Sequence, residues 1–208
     1  GNLNNFDISE AVQLDEMPEL ELWVLHRLHE LDARIRKSCS TFEFHSLFLE
    51  LHNFCTVDLS AFYFDIRKDT LYCDSKDSLD RKSTRTVLDI LFHHLLTLLA
   101  PILCFTTEEA WQSRYGSNES IHTKNFPQIQ NKWKRPDLDS KWEVYKEIRK
   151  SINGAIEIER KNKKIGSSLE ASIDLYLGDS SFKEVDQDLL KNISIVSELK
   201  ILEESPTD

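Results

Sequence analysis

The sequence predicts a mainly α protein: an antiparallel helical bundle followed by a small α/β C-terminal unit. Three observations carry this reading. From residue 19 to about residue 163, apolar residues recur mostly at i, i+3 and i+4, the spacing of one helix face. Only five glycines and five prolines punctuate 208 residues, too few for a turn-rich β fold. After residue 170 the period becomes two, with Ile173, Leu175 and Leu177 alternating with Ser172, Asp174 and Tyr176, as in a strand. Residues 1–136 are expected to form the bundle with a wrapping linker. Residues 137–208 are expected to form a long helix plus a small β-α-β subdomain.

Residues 1–16 read as an extended lead-in segment. The first helix is expected over 19–37, where Pro18 suits a helix start. Its apolar face is Leu20, Trp23, Val24, Leu28, Leu31 and Ile35. Glu19 and Glu21 near its start, and Arg34, Arg36 and Lys37 near its end, complement the helix dipole. Thr41 is the expected N-cap of a second helix that turns Phe44, Leu47, Phe48 and Leu51 inward. A break or bend is expected at 53–57, then a third helix over 58–67 and a polar loop over 69–79.

The most apolar segment, 87–105, reads as the central helix of the bundle. Val87, Leu88, Leu91, Leu95, Leu98 and Leu99 keep helical rhythm, while Ile90, Phe92 and Leu96 add apolar surface on other faces. Ser78 or Asp80 is the expected cap, and Pro101 the stop. Asp89, His93, His94 and Thr97 argue against a membrane span. Thr106 with Glu109 fits a capping box for a short helix bearing Trp111. Residues 115–136 read as a linker anchored by Phe126 and Trp133. The last long helix, 137–163, turns Leu138, Trp142, Tyr145, Ile148, Ile152 and Ile156 to one side, and Gly154 weakens it by about 1 kcal/mol relative to alanine. A short helix over 182–190 and a second strand over 193–202 complete the chain.

Net charge is −10, the wrong sign for a nucleic-acid binder read in bulk. The charge is uneven, however. Residues 61–170 hold nineteen basic and sixteen acidic side chains, whereas residues 1–60 hold four and eleven, and residues 171–208 three and nine. A basic stripe on an acidic body fits this pattern, because binding follows local potential. Cys39, Cys55, Cys73 and Cys104 lack metal or redox spacing and read as free thiols of a reducing compartment. With no signal peptide in the sequence, a cytoplasmic protein is expected.

Catalytic constellations are missing: there is no phosphate loop, serine elbow or HExxH motif. The pairs His26/His29 and His93/His94 are weighed as metal ligands and set aside, since matching partners are not evident. Arg81, Lys82 and Arg85 fall within one and a half helical turns. They read either as a solvated helix start or as phosphate contacts. The basic turn from Arg160 to Lys164 has the same two readings. The tryptophans Trp23, Trp111, Trp133 and Trp142 read as core anchors.

The run Phe62-Tyr63-Phe64-Asp65-Ile66-Arg67-Lys68-Asp69-Thr70-Leu71-Tyr72-Cys73-Asp74, the basic helix start, and Leu98-Leu99-Ala100-Pro101-Ile102-Leu103-Cys104-Phe105-Thr106-Thr107-Glu108-Glu109-Ala110-Trp111 resemble the anticodon-binding helical domain of class Ia aminoacyl-tRNA synthetases. Gly1-Asn2-Leu3, Leu22-Trp23 with Arg27, and the stretch from Lys163 to Ala171 extend the likeness over nearly the whole chain, in the order found in bacterial-type isoleucyl-tRNA synthetases. Two positions depart from that pattern, Leu22 and Thr70, where the family commonly has arginine.

The resemblance implies a C-terminal portion of an ATP- and Mg-using ligase. The catalytic signatures and editing domain are absent, as is the C-terminal zinc module of many members. No cofactor and no metal is therefore expected here, and no catalytic residue. The expected partners are tRNA(Ile) and the catalytic domain of the same polypeptide, with no membrane and no DNA. The expected RNA-facing residues are Trp23, Arg27, Lys68, Arg81 and Arg85, with Lys161, Lys163 and Lys164 behind them. The alternatives are a helical protein-interaction module, which the net charge favours, or the equivalent region of a valine or leucine synthetase.

Overall fold

A computed structural model describes residues 2–178, 185–202 and 204. Helix α1 spans Glu19–Thr41 and α2 spans Phe44–Asn53. A π-wound segment, Phe54–Phe64, runs on into α3, Asp65–Cys73. The remaining helices of the bundle are α4 (Leu79–Leu99), α5 (Cys104–Tyr115) and α6 (Pro136–Lys161). The C-terminal unit is β1 (Ser172–Tyr176), α7 (Gln187–Ser194) and β2 (Glu198–Leu202). The helical bundle with a small β-α-β unit is therefore as the sequence predicts.

The run from Phe44 to Cys73 does not break at 53–57. Asn53, Phe64 and Asp65 all keep right-handed helical backbone, so the chain stays helical. Its buried residues are Phe54, Asp58, Leu59, Phe62 and Tyr63. That spacing of four to five is longer than the 3.6 of an α-helix, and i→i+5 winding keeps all five on one face. The break between α1 and α2 falls instead at Phe42, in left-handed conformation at φ 59°. Thr41 is the last residue of α1 and caps nothing ahead of it: its Oγ1 donates to the Lys37 carbonyl at 3.1 Å. Glycine is the low-energy residue at such a helix end, and a side chain there costs about 1–2 kcal/mol.

Ser78 caps α4, accepting from the Arg81 amide at 3.5 Å. The capping box expected at Thr106 does not form, because α5 starts two residues earlier, at Cys104. Glu108 reaches across to the linker instead, accepting from Ser120 Oγ and the Ile121 amide, both at 2.9 Å. The linker lies on the bundle as expected, with Trp133 buried and Phe126 half-buried against the core.

The middle of the core is aromatic. Trp23 packs edge-on to Phe62 at 5.3 Å between centroids, and Trp142 lies 6.1 Å from Trp23 and 6.0 Å from Phe62. Strands β1 and β2 pair in parallel, with Ile173 opposite Leu199 and Leu175 opposite Ile201. Asp186 caps α7 by accepting from the Asp188 and Leu189 amides at 2.9 and 3.0 Å. Part of the expected 182–190 helix, residues 182–184, lies outside the described residues, and residues 193–194 belong to α7 rather than to a strand. The buried Arg149 ties this unit to the bundle. It donates to the Ile193 carbonyl at 2.6 Å and the Ala61 carbonyl at 3.1 Å, and pairs with Asp65.

Hydrogen bonds register the helices along the bundle axis. Arg34 of α1 meets Glu50 of α2, while Arg67 of α3 meets Glu21. Thr84 of α4 also reaches Glu21, and Arg114 of α5 pairs with Asp89. Arg135 meets His26, and Lys141 meets Glu19. Thus α1 and α4 run parallel, and α2–α3, α5 and α6 run against them. One end of the bundle carries the α1–α2 and α4–α5 turns. The other carries the end of α3, the 74–78 loop, the start of α4 and the end of α6.

Candidate nucleic-acid interface

The helix start at 79–85 places Arg81, Lys82 and Arg85 beside the lead-in segment. Together with Asn2, Asn4, Asn5, Glu10, Lys76 and Asp77 they line a polar cavity of about 600 Å³. The arginines are engaged within the fold. Arg85 donates to the Asn2 and Asn4 carbonyls at 3.2 and 2.9 Å, pairs with Glu10 at 3.2 Å and lies over the Phe6 ring. Arg81 donates to the Asp74 carbonyl at 2.7 Å. Both guanidiniums fasten chain segments.

Trp23 corrects an expectation outright. Its ring is 0% exposed within the aromatic core, and its Nε1 donates to Asp139 at 3.3 Å, so no base can stack on it. Arg27 contacts three carboxylates: Asp58 at 3.3 Å, Asp139 at 3.8 Å, and Glu30 in direct contact. These carboxylates hold its proton more tightly although burial opposes the charge. Arg27 belongs to an internal ion network, joined through Asp58 by Lys146 at 3.0 Å.

The same network explains a convergence of His26, Glu30 and Asp139, whose ligand-type atoms lie within 4.8 Å of one another. His26 Nδ1 accepts from the Arg135 amide at 3.1 Å, which leaves the ring proton on Nε2. That nitrogen has no lone pair for a metal, and Arg27 already neutralises both carboxylates. Burial pushes the His26 pKa below its usual value, with Glu30 and Asp139 pulling the other way.

The lysines behave differently. Lys68, Lys161 and Lys163 are exposed, and among the described residues no carboxylate pairs with them; Lys76 in the 74–78 loop shares this state. Lys164 is exposed and pairs with Glu159 at 2.7 Å. Lys163 sits at φ 59°, so the chain reverses at the end of α6 and presents Lys161, Lys163 and Lys164 in one turn. The end of α6 is the negative pole of its dipole, which favours cations there. Topology puts Lys68, Lys76 and this turn at the same end of the bundle. Nothing in the sequence pattern separated these free lysines from the engaged arginines. Lys76, unremarkable in sequence, joins the set only through the 74–78 loop.

A family model described as "Anticodon-binding domain of tRNA ligase" matches residues 21–175. The chain is 49% identical over 174 residues to an isoleucine–tRNA ligase of Agrobacterium fabrum, covering 84% of the chain and 18% of that protein. It is 46% identical over 177 residues to that of Gluconobacter oxydans (85% and 18%) and 40% identical over 210 residues to that of Zymomonas mobilis (99% and 22%). The chain thus spans about a fifth of the length of these relatives. No helix among the described residues is long and apolar enough to cross a membrane. The chain belongs to the family of anticodon-binding domains of tRNA ligases.

Proposed function

We propose that this chain grips the anticodon stem-loop of isoleucine tRNA as one part of a cytoplasmic isoleucine–tRNA ligase. The rest of that enzyme activates isoleucine with ATP and transfers it to the tRNA. The observation that carries the reading is the lysine end of the bundle, in a chain of this family. Lys68, Lys76, Lys161 and Lys163 offer charge that no carboxylate among the described residues pairs, at the helix ends and turns of the bundle, suited to phosphate contact. Loop bases are then splayed for readout of their edges. Isoleucine is favoured over valine or leucine because the relatives compared are isoleucine enzymes.

The test is binding of this chain to isoleucine tRNA and to a non-cognate tRNA across a salt series. Salt-dependent binding that prefers isoleucine tRNA supports the reading, and absence of binding at low salt overturns it. Replacing Lys68, Lys161 and Lys163 together by alanine should weaken binding and lower the slope of log affinity against log salt by about 2–3 units. An unchanged slope would remove the lysine end from the interface.

A further inference from the structure

Tyr72 lies one residue before the end of α3 and is 69% exposed. Of the described Phe, Tyr and Trp residues only Phe42 and Phe105 are more open, and both sit at the other end of the bundle. The neighbours of Tyr72 explain why it faces outward. Leu71 is buried, and Arg67, one turn before Leu71, is fastened to Glu21 at 2.6 Å. That face of α3 is held against the bundle, and Tyr72 falls outside it. Among the described residues no aromatic ring, cation or hydrogen-bond partner meets its side chain.

Cations flank the ring. Lys68 precedes Tyr72 by four residues and is its neighbour on the helix surface. Beyond α3 the backbone becomes extended at Asp74, and the Ser78 amide donates to the Ser75 carbonyl at 3.1 Å, closing a turn that contains Lys76. Arg81 pins this turn by donating to the Asp74 carbonyl at 2.7 Å. Two of the nearby acids are engaged: Asp77 pairs with Lys82 at 3.2 Å, and Asp74 accepts from the Ser78 hydroxyl at 3.3 Å. Asp69 flanks Tyr72 on the side away from Lys68. Its charge repels phosphates and leaves the Lys68 side to them.

An aromatic ring between cations suits single-stranded nucleic acid, whose bases stack while its phosphates meet the charges. The exposed phenylalanines Phe42, Phe44 and Phe105 lack this setting, since residues 42–49 and 99–106 contain no lysine or arginine. A single ring is also too small to be an apolar patch for a protein. We propose that Tyr72 is the stacking platform for one unpaired base of the RNA, with Lys68 and Lys76 on the phosphates beside that base. This rests on the reading that the chain binds tRNA. The RNA-facing ring expected at Trp23 is supplied at Tyr72 instead.

The test measures binding of the 208-residue chain to isoleucine tRNA and to a fully paired RNA duplex, for wild type, Tyr72→Phe, Tyr72→Leu and Tyr72→Ala. Tyr72→Ala and Tyr72→Leu should each weaken tRNA binding about tenfold, and Tyr72→Phe less than about twofold. The slope of log affinity against log salt should stay that of wild type, because stacking releases no counterion. Duplex binding and the melting temperature should be the same in all four proteins. Wild-type tRNA affinity in Tyr72→Ala, with the lysine variant above still weakened, overturns this proposal and leaves the function standing. Wild-type affinity in Tyr72→Leu, a loss in Tyr72→Phe equal to that in Tyr72→Ala, or an equal loss on the duplex overturns stacking. No tRNA binding by wild type at low salt overturns the function and this proposal together.

Discussion

Glu21 is a carboxylate with no exposed surface, kept inside by its partners. Arg67 donates to it twice, at 2.7 and 2.6 Å, and Tyr63 and Thr84 donate at 3.1 and 3.2 Å. Burial, then the neighbouring Glu21, raise the Tyr63 pKa well above that of an ordinary phenol. Removing one partner of a buried pair strands the other charge. Arg67→Ala should therefore cost about 3–5 kcal/mol in urea unfolding, and Arg67→Met with Glu21→Gln distinctly less. Equal stability of wild type and Arg67→Ala would show that water screens the site. His94 gives the pH dependence. Its Nδ1 donates to the Ile90 carbonyl at 2.8 Å, and Trp133, His93, Asp32 and Arg36 surround it. Burial lowers its pKa, as it does for His26 and His93. The unfolded chain therefore takes up protons first, below about pH 6.5, and stability falls as pH drops through that value. The melting temperature should fall between pH 7 and pH 5, and less steeply in His94→Gln. Parallel curves would exclude His94 from the effect.

At the scale of elements, α6 carries one position where sequence and structure agree on a weakness. A Cβ added at Gly154 meets nothing within 4 Å, and its φ is not in the left-handed region. Gly154→Ala should stabilise the chain by about 0.5–1 kcal/mol in thermal or urea unfolding, and a loss of stability would point to a need for the bare backbone. The lead-in segment is held on α4 and α5 by Arg85 and by Arg114, which donates to the Leu3 carbonyl at 3.1 Å. Arg85→Ala should speed amide exchange over residues 2–10 while exchange in α6 stays unchanged. If instead tRNA affinity falls with no change at 2–10, Arg85 acts on RNA. The π-wound segment shows why the break expected at 53–57 is absent. Cys55, Thr56 and Val57 are weak helix formers, but Phe54, Asp58, Leu59, Phe62 and Tyr63 bury together only if winding continues.

Across the whole molecule, a net charge of −10 and RNA binding are compatible because the acidic side chains lie largely outside residues 61–170 or are paired inward. Most arginines hold the fold together, whereas Lys68, Lys76, Lys161 and Lys163 meet no carboxylate among the described residues, although Lys82, Lys124, Lys141, Lys146, Lys164 and Lys200 do. Arginine offers a planar fork of donors that fastens carbonyls and carboxylates, while lysine keeps a hydrated charge at the end of a flexible stem. The expected loss of salt dependence belongs to this scale, since each released counterion adds independently and no single lysine dominates.

The helices, the linker anchored by Phe126 and Trp133, and the switch to strand pairing near residue 172 were legible in the sequence. Periodicity and turn residues act locally, and the motif blocks of the family survive in order. Which charged side chains stay free of partners was not. Arg27, Arg81 and Arg85 read in sequence as surface groups that could meet RNA, while Trp23, a core anchor by its place on the apolar face of the first helix, was RNA-facing only by the family resemblance. Packing turned Trp23 into the core and paired the arginines, because a buried ring releases water and a guanidinium satisfies carbonyls and carboxylates brought close by distant segments. Which cations remain free, and that they lie opposite the exposed phenylalanines, depends on helix direction and on contacts between residues far apart in the chain, which no local pattern encodes.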